Sequence, residues 1–225
     1  MPTAIVTGAS RGLGLALTRA LSARGWEAVV DARGADALEA ATTTLDGITA
    51  VPGDVTEPDH RAALVAAAGE RIDLLVNNAS LLGPSPQPAL AVYPLDVLER
   101  VYAANVFAPL ALAQLALPLM ADGAAIVNVT SDAAAEPYAG WGGYGSSKAA
   151  LDQLTAIMAA EDPDLRIYAA DPGDMRTQMH QAAFPGENIS DRPPPEESVP
   201  GLLALIEGDL PSGRYRVRDL QPARR

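Results

Sequence analysis

The chain of 225 residues is long enough to bury a sizeable core and suits a single domain over 1–225. Against 28 Asp and Glu stand only 16 Lys and Arg, a formal net charge of −12; this excludes the basic footprint of a nucleic-acid binder and leaves small molecules or copies of the chain as partners. With no cysteine, disulfides, thiolate metal sites and cysteine nucleophiles are excluded; His60 and His180 are the only imidazoles, read as partly solvated side chains, and no metal site is expected.

The opening MPTAIVTGAS enters a β-type apolar run with neither a basic leader nor a small-residue cleavage site, so a cytoplasmic protein is expected. The strand TAIVTG (3–8) leads into a helix from Leu13 to Arg24, ended by Gly25. EAVVDA (27–32) predicts a second strand, ADALEAATTTL (35–45) a helix, and ITAVPGD (48–54) a third strand running into a turn. A helix over 57–70, the strand IDLLVNNA (72–79), a helix over 94–121 and the strand AAIVNVTS (124–131) continue the alternation. A helix opening near Tyr144 precedes the strand LRIYAADPG (165–173). Residues 174–198 mix polar residues with Phe184, Pro185, Gly186 and the run from Pro193 to Pro195, and predict a long, flexible substrate loop. One more helix and a last strand complete the tail. Nearly all-apolar strands alternating with helices predict an α/β fold: a doubly wound, mostly parallel sheet with helices on both faces.

Between Arg100 and Asp122 no residue is charged, and the run is long enough to span a bilayer. It also holds Asn105, Gln114, Pro109 and Pro118, which suit a core or subunit-interface helix better, so no membrane association is expected.

Two patterns carry chemistry. Directly after the first strand, TGASRGLG sets glycines at 8, 12 and 14 ahead of an amphipathic helix. Glycines admit close backbone approach, and the amides of a helix N-terminus attract a pyrophosphate. Farther on, YGSSK (144–148) puts Tyr144 four residues before Lys148, on one helix face, with Ser131 thirteen residues upstream. A phenol with a pKa near ~10 holds its proton at neutral pH, so a tyrosine acting as acid or base needs a neighbouring cation.

Together TGASRGLG, NNAS (77–80), Ser131, YGSSK and DPG (171–173) make the chain resemble a short-chain dehydrogenase/reductase from residue 3 to residue 177. The resemblance implies one Rossmann-type domain with a central sheet of about seven strands and a nicotinamide dinucleotide across its edge. Gly8, Ser10, Arg11, Gly12, Leu13 and Gly14 would then line the pyrophosphate, Asp54 and Val55 meet the adenine, and Asn78 and Ala79 lie under the adenosine ribose. Pro172 and Gly173 would turn the chain under the nicotinamide, with Met175 contributing its backbone and Thr177 binding the carboxamide. Ser80 stands where the family has glycine. Tyr144 would exchange a proton with the substrate oxygen, and Ser131 would hold that oxygen. Lys148 would lower the phenol's pKa and bind the nicotinamide ribose, while Asn105 would keep a water beside the lysine.

At the end of the second strand, an acid would bind ribose hydroxyls and a base a 2′-phosphate. Counted from Gly14, the acid's position falls on Ala32, followed by Arg33; Asp31 comes one place early and, by alternation, on the opposite face. NADP is therefore expected, with Arg33 and Arg11 near the phosphate; solvated arginines and an Asp31 bent in to the ribose would give NAD instead. Residues 81–83, 133–141 and the loop beyond Thr177 are expected to wall the substrate pocket. Tyr138, Trp141, Met175, Met179 and Phe184 there suit a hydrophobic or aromatic carbonyl or alcohol. The reading is an NADP(H)-preferring oxidoreductase for CH–OH and C=O groups, and the resemblance, with the missing charge, implies a homodimer or homotetramer through the helices at 101–121 and from Tyr144. The alternatives are a catalytically silent dinucleotide-binding regulator and an isomerase or dehydratase, the latter ranked last because it usually needs a longer C-terminal substrate domain.

Overall fold

The computed structural model describes residues 1–220; residues 221–225, the end of the domain expected over 1–225, lie outside the described residues. The first half alternates as β1 (Thr3–Val6), α1 (Gly12–Ser22), β2 (Glu27–Ala32), α2 (Ala35–Thr42), β3 (Ile48–Pro52), α3 (Pro58–Ala68) and β4 (Ile72–Asn77). The second half runs α4 (Leu95–Tyr102), α5 (Ala108–Ala116), β5 (Met120–Val129), α6 (Gly142–Glu161), β6 (Arg166–Asp171), α7 (Gln178–Ala183), α8 (Val199–Glu207) and β7 (Gly213–Arg216). The seven strands form one parallel sheet in the order β3-β2-β1-β4-β5-β6-β7, the expected doubly wound architecture.

Side-chain alternation divides the core into two layers. Val6, Val76 and Val127 pack with Leu17 and Leu21 of α1 and Leu202 of α8, whereas Ile5, Leu75 and Ile126 pack with Leu64 of α3 and Leu112 of α5. Each such fully buried aliphatic side chain contributes roughly 1.5–3 kcal/mol relative to exposure. The strand order reverses between β1 and β4, and ligands of open α/β sheets bind in the crevice at the carboxyl ends beside such a switch point.

The helix expected over 94–121 is broken. Between α4 and α5 lies a π turn, Ala103–Phe107, and a short 3-10 turn, Leu117–Leu119, precedes β5, which starts four residues earlier than expected. Proline explains both breaks: Pro109 has no N–H for the Asn105 carbonyl and Pro118 none for that of Gln114, so the regular ladder fails at each. Leu95–Leu119 has the length and hydropathy of a membrane span, yet half of its most apolar window is buried, with α5 packed on β4 and α3.

Behind the site, Asn77 of β4 donates from Nδ2 to Oδ1 of Asn128, its register partner on β5, at 2.8 Å. Asn128 in turn donates to Oγ1 of Thr155 on α6 at 2.8 Å. This buried polar chain fixes α6, the helix that carries Tyr144 and Lys148, against the sheet.

Candidate active site

At the carboxyl end of β1 the chain turns through Gly8 and Gly12, with φ of 71° and 58° that favour glycine. Gly14 is required by space: a Cβ there would lie 2.4 Å from the Gly8 carbonyl oxygen and 2.5 Å from Nδ2 of Asn78. No side chain caps the first turn of α1, whose amides are thus free to meet an anion. Asn78 fixes the other wall by donating to the carbonyls of Thr7 and Gly8 at 2.8 and 3.1 Å, while the Asn78 and Ala79 amides both donate to Oγ1 of Thr7 at 3.0 Å. Glycine clearance and uncapped amides fit a dinucleotide's pyrophosphate.

Asp31 lies buried, 1% exposed, and turned toward this loop. Its Oδ1 accepts from the Gly8 amide at 2.7 Å and its Oδ2 meets Nε2 of His60 at 3.0 Å. Both carboxylate oxygens are therefore engaged within the protein, on the α3 side of β2, while Ala32 packs toward the α1 layer. Arg33 is exposed. Burial works against the Asp54 carboxylate, but the Thr56 amide and hydroxyl, with Arg33 nearby, hold its pKa below the usual range. Arg11 donates to Oε1 of Gln178 at 2.7 Å, which draws α7 over the glycine loop, and Thr177 faces Gly12 from the same side.

Tyr144 and Lys148 share the buried face of α6, with Nζ 5.6 Å from the phenol ring centroid. Nζ donates to the Val129 carbonyl at 2.7 Å. Burial lowers the Lys148 pKa to about 8 and pushes that of Tyr144 well above its ordinary value, with a hydrogen-bonding Ser80 pulling it partly back. Burial is the largest influence on the phenol, and the nearby Asp171 and Asp132 carboxylates act in the same direction. Asn105 lies in the π turn and is fully buried. Its Nδ2 donates to the Leu81 carbonyl and to Oγ of Ser147, both at 2.9 Å, and its Oδ1 accepts from the Leu81 amide at 2.7 Å and from Ser80 at 3.1 Å. The amide ties the strand end after β4 to α6. Ser131, just beyond β5, donates to Oδ1 of Asp132 at 2.9 Å and would have to turn to meet a substrate oxygen.

Above Tyr144 an aromatic wall assembles. Trp141 meets the Tyr144 ring edge-on at 5.9 Å and the Phe184 ring at 5.7 Å, with Tyr138 6.4 Å away. Leu82, Ala133 and Met179 fill in beside them. Met175, expected in this wall, packs instead on the core beneath α1 and α8, since Pro172 and Gly173 turn the chain under the sheet edge before it. Residues 174–198 are more ordered than a loop: Thr177 accepts from the His180 amide and caps α7, and a 3-10 turn spans Pro195–Ser198.

Both histidines correct the sequence reading, because each imidazole side chain is only 9% exposed. His60 is held by Asp31, while His180 lies 3.7 Å from Asp174 and packs on Phe184. Two arginines near the site were not anticipated. Arg214 on β7 donates to the Ser131 carbonyl at 2.9 Å and to Asp171 at 3.2 Å, and Arg218 donates to the Asp174 carbonyl beside Gly173. Nothing local in GRYRVRD announces these contacts, which exist only because β7 docks beside β6.

A phosphate cradle at the switch point with a buried phenol–ammonium pair two strands away is the layout of a dinucleotide-dependent oxidoreductase. The family described as short chain dehydrogenase matches residues 2–188. The chain is 38% identical over 175 residues to the short chain dehydrogenase asqE of Emericella nidulans, covering 71% of this chain and 64% of that protein. It is 33% identical over 184 residues to a benzil reductase ((S)-benzoin forming) of Bacillus subtilis, covering 78% and 75%. Among solved structures, a short chain dehydrogenase from Escherichia coli CFT073 complexed with NADPH superposes with a TM-score of 0.89 at 26% identity, covering 96% of each chain. The protein belongs to the short-chain dehydrogenase/reductase family of oxidoreductases.

Proposed function

We propose that the protein reduces a hydrophobic, preferably aromatic, carbonyl compound with NADPH. The observation that carries this reading is the buried Tyr144–Lys148 pair under the Trp141–Phe184 wall, at the same sheet edge as the glycine cradle. Bound nicotinamide would supply the hydride. Gly8, Ser10, Arg11, Gly12, Leu13 and Gly14 would hold the pyrophosphate, Asp54 and Val55 the adenine, and Asn78 and Ala79 the adenosine ribose. Pro172, Gly173, Met175 and Thr177 would seat the nicotinamide end, with Lys148 on its ribose. Burial keeps the Tyr144 proton in place at neutral pH, which readies the phenol as an acid for the oxygen of a carbonyl being reduced. Ser131 would hold that oxygen, and Asn105 would keep the strand end and α6 in register around it.

Three observations support NADP over NAD: Asp31 is engaged by Gly8 and His60, Arg33 is exposed at the end of β2, and the Escherichia coli relative is complexed with NADPH. The aromatic wall, and the benzil reductase among the relatives, favour aryl ketones and diketones. Initial rates with a panel of aryl ketones are expected to give a KM for NADPH at least about tenfold below that for NADH, the size of one good phosphate contact. A lower KM for NADH would overturn the cofactor assignment.

Phe107 and Leu115 of the π turn and α5, and Ile157 of α6, are exposed apolar side chains. They support a homodimer or homotetramer in which a second copy covers both helices. Sedimentation velocity is expected to detect no monomer at micromolar protein; a monomer there would remove the assignment.

A further inference from the structure

The Asp31–His60 pair is absorbed by none of the steps above, yet it joins three segments of the cofactor site. We infer that His60, acting through Asp31, is a positioning residue for the bound dinucleotide: the first turn of α3 locks the Gly8 end of the phosphate cradle and the adenine wall at Asp54 and Val55 into one unit. The inference rests on the dinucleotide reading but is indifferent to which dinucleotide binds.

The contacts run in sequence. The Asp31 carboxylate accepts from the Gly8 amide at 2.7 Å, and the Asp31 carbonyl accepts from the Ala9 amide at 2.8 Å, so the end of β2 holds the start of the cradle twice. The other carboxylate oxygen meets Nε2 of His60 at 3.0 Å. The imidazole occupies space that only glycine leaves free, since a Cβ on residue 53 would lie 2.2 Å from its Nδ1. From the same turn of α3, Arg61 donates to the Val55 carbonyl at 2.6 Å. A buried carboxylate is costly unless its oxygens are bonded. Burial already raises the Asp31 pKa against the bonds from Gly8 and His60. Without the imidazole, one oxygen of the buried carboxylate is left without a partner, and the side chain that holds the Gly8 amide is no longer fixed from the α3 side. The cradle then loosens where the pyrophosphate must sit, far from the proton-transfer pair.

The test titrates the parent, His60→Leu, His60→Gln and Gly53→Ala with NADPH and with NADH, following binding by nicotinamide fluorescence, and measures kcat at saturating cofactor. Leucine cannot donate to Asp31, glutamine can, and a methyl group at 53 displaces the ring without removing either partner. His60→Leu and Gly53→Ala are expected to weaken both dinucleotides alike, by about tenfold, with kcat within about twofold of the parent. His60→Gln is expected to bind within about threefold of the parent, because its amide restores the donor. Parent-like binding in a folded His60→Leu or Gly53→Ala, or a loss that falls on kcat instead of binding, overturns the inference. If His60→Leu does not fold, Gly53→Ala decides it alone. A parent that favours NADH would sink the NADP assignment and leave this inference standing.

Discussion

Lys148→Met is expected to abolish turnover and at the same time raise the thermal stability of the cofactor-free protein at neutral pH. Lys148 is 1% exposed, no carboxylate pairs with its ammonium among the described residues, and its one hydrogen bond goes to the Val129 carbonyl. Burial brings its pKa from 10.5 to about 8. The folded pKa is depressed, so between about 8 and 10.5 the unfolded chain binds more protons than the folded one, and stability rises with pH across that window. Below it the full penalty remains, of the order of 3 kcal/mol at ~1.4 kcal/mol per pKa unit. Methionine fills similar space without a charge and gives up the ammonium's bond to Val129, worth about 1.5 kcal/mol or more, so a net gain of about 1–2 kcal/mol at most is expected. Thermal unfolding at neutral pH should show a Tm several degrees above the parent. Between pH 8 and pH 10 the parent should gain stability while the variant does not. Above pH ~10 Tyr144 works the other way, because its raised pKa lets only the unfolded phenol ionise. A variant less stable than the parent at neutral pH would mean that the folded protein compensates the buried ammonium in full.

Tyr144→Phe removes a single oxygen from a ring that is otherwise held by Leu82, Ala133 and Trp141, so the fold and the aromatic wall should survive it. The proton for the substrate oxygen then has no donor at that position. Removing a positioned general acid costs ~10²–10⁴ in rate, and kcat for carbonyl reduction is expected to fall by at least about 100-fold. Binding of NADPH should change by less than about threefold, because the phosphate cradle and Lys148 are untouched. A variant whose kcat stays within about tenfold of the parent would remove Tyr144 from the acid's role, and a collapse of cofactor binding instead of rate would make it a structural residue.

What the sequence made legible follows from how parallel sheets are built. The inner strands are buried on both faces, so runs such as AIV, AVV and LLV announce themselves, and the glycine loop lies in the turn that local spacing describes. Alternation along β2 also separates Ala32, which packs with the α1 layer, from Asp31, which meets His60 of α3. Features that depend on a distant partner were not legible. Pro109 could be read as a flaw in a long helix, but the π turn and the four hydrogen bonds of the Asn105 side chain need Leu81 and Ser147 from other segments. His60 resembled a surface side chain on a polar helix start until Gly53 and Asp31 closed around it. Met175 was assigned to the pocket by proximity in sequence, and it packs on the core cluster of α1 and α8. Burial was hidden for a related reason: spacing reveals that a lysine is near, whereas burial, the largest influence on both groups, is set by the whole fold.

The most direct test of the central claim, that the buried phenol delivers a proton as hydride reaches a carbonyl carbon, is a product balance. NADPH and an aryl diketone are mixed with the parent protein, and dinucleotide oxidised is compared with hydroxyketone formed. The account predicts one alcohol for each NADPH consumed; bound NADPH that stays reduced across a broad panel of ketones and diketones would contradict it and leave a dinucleotide-binding protein without turnover.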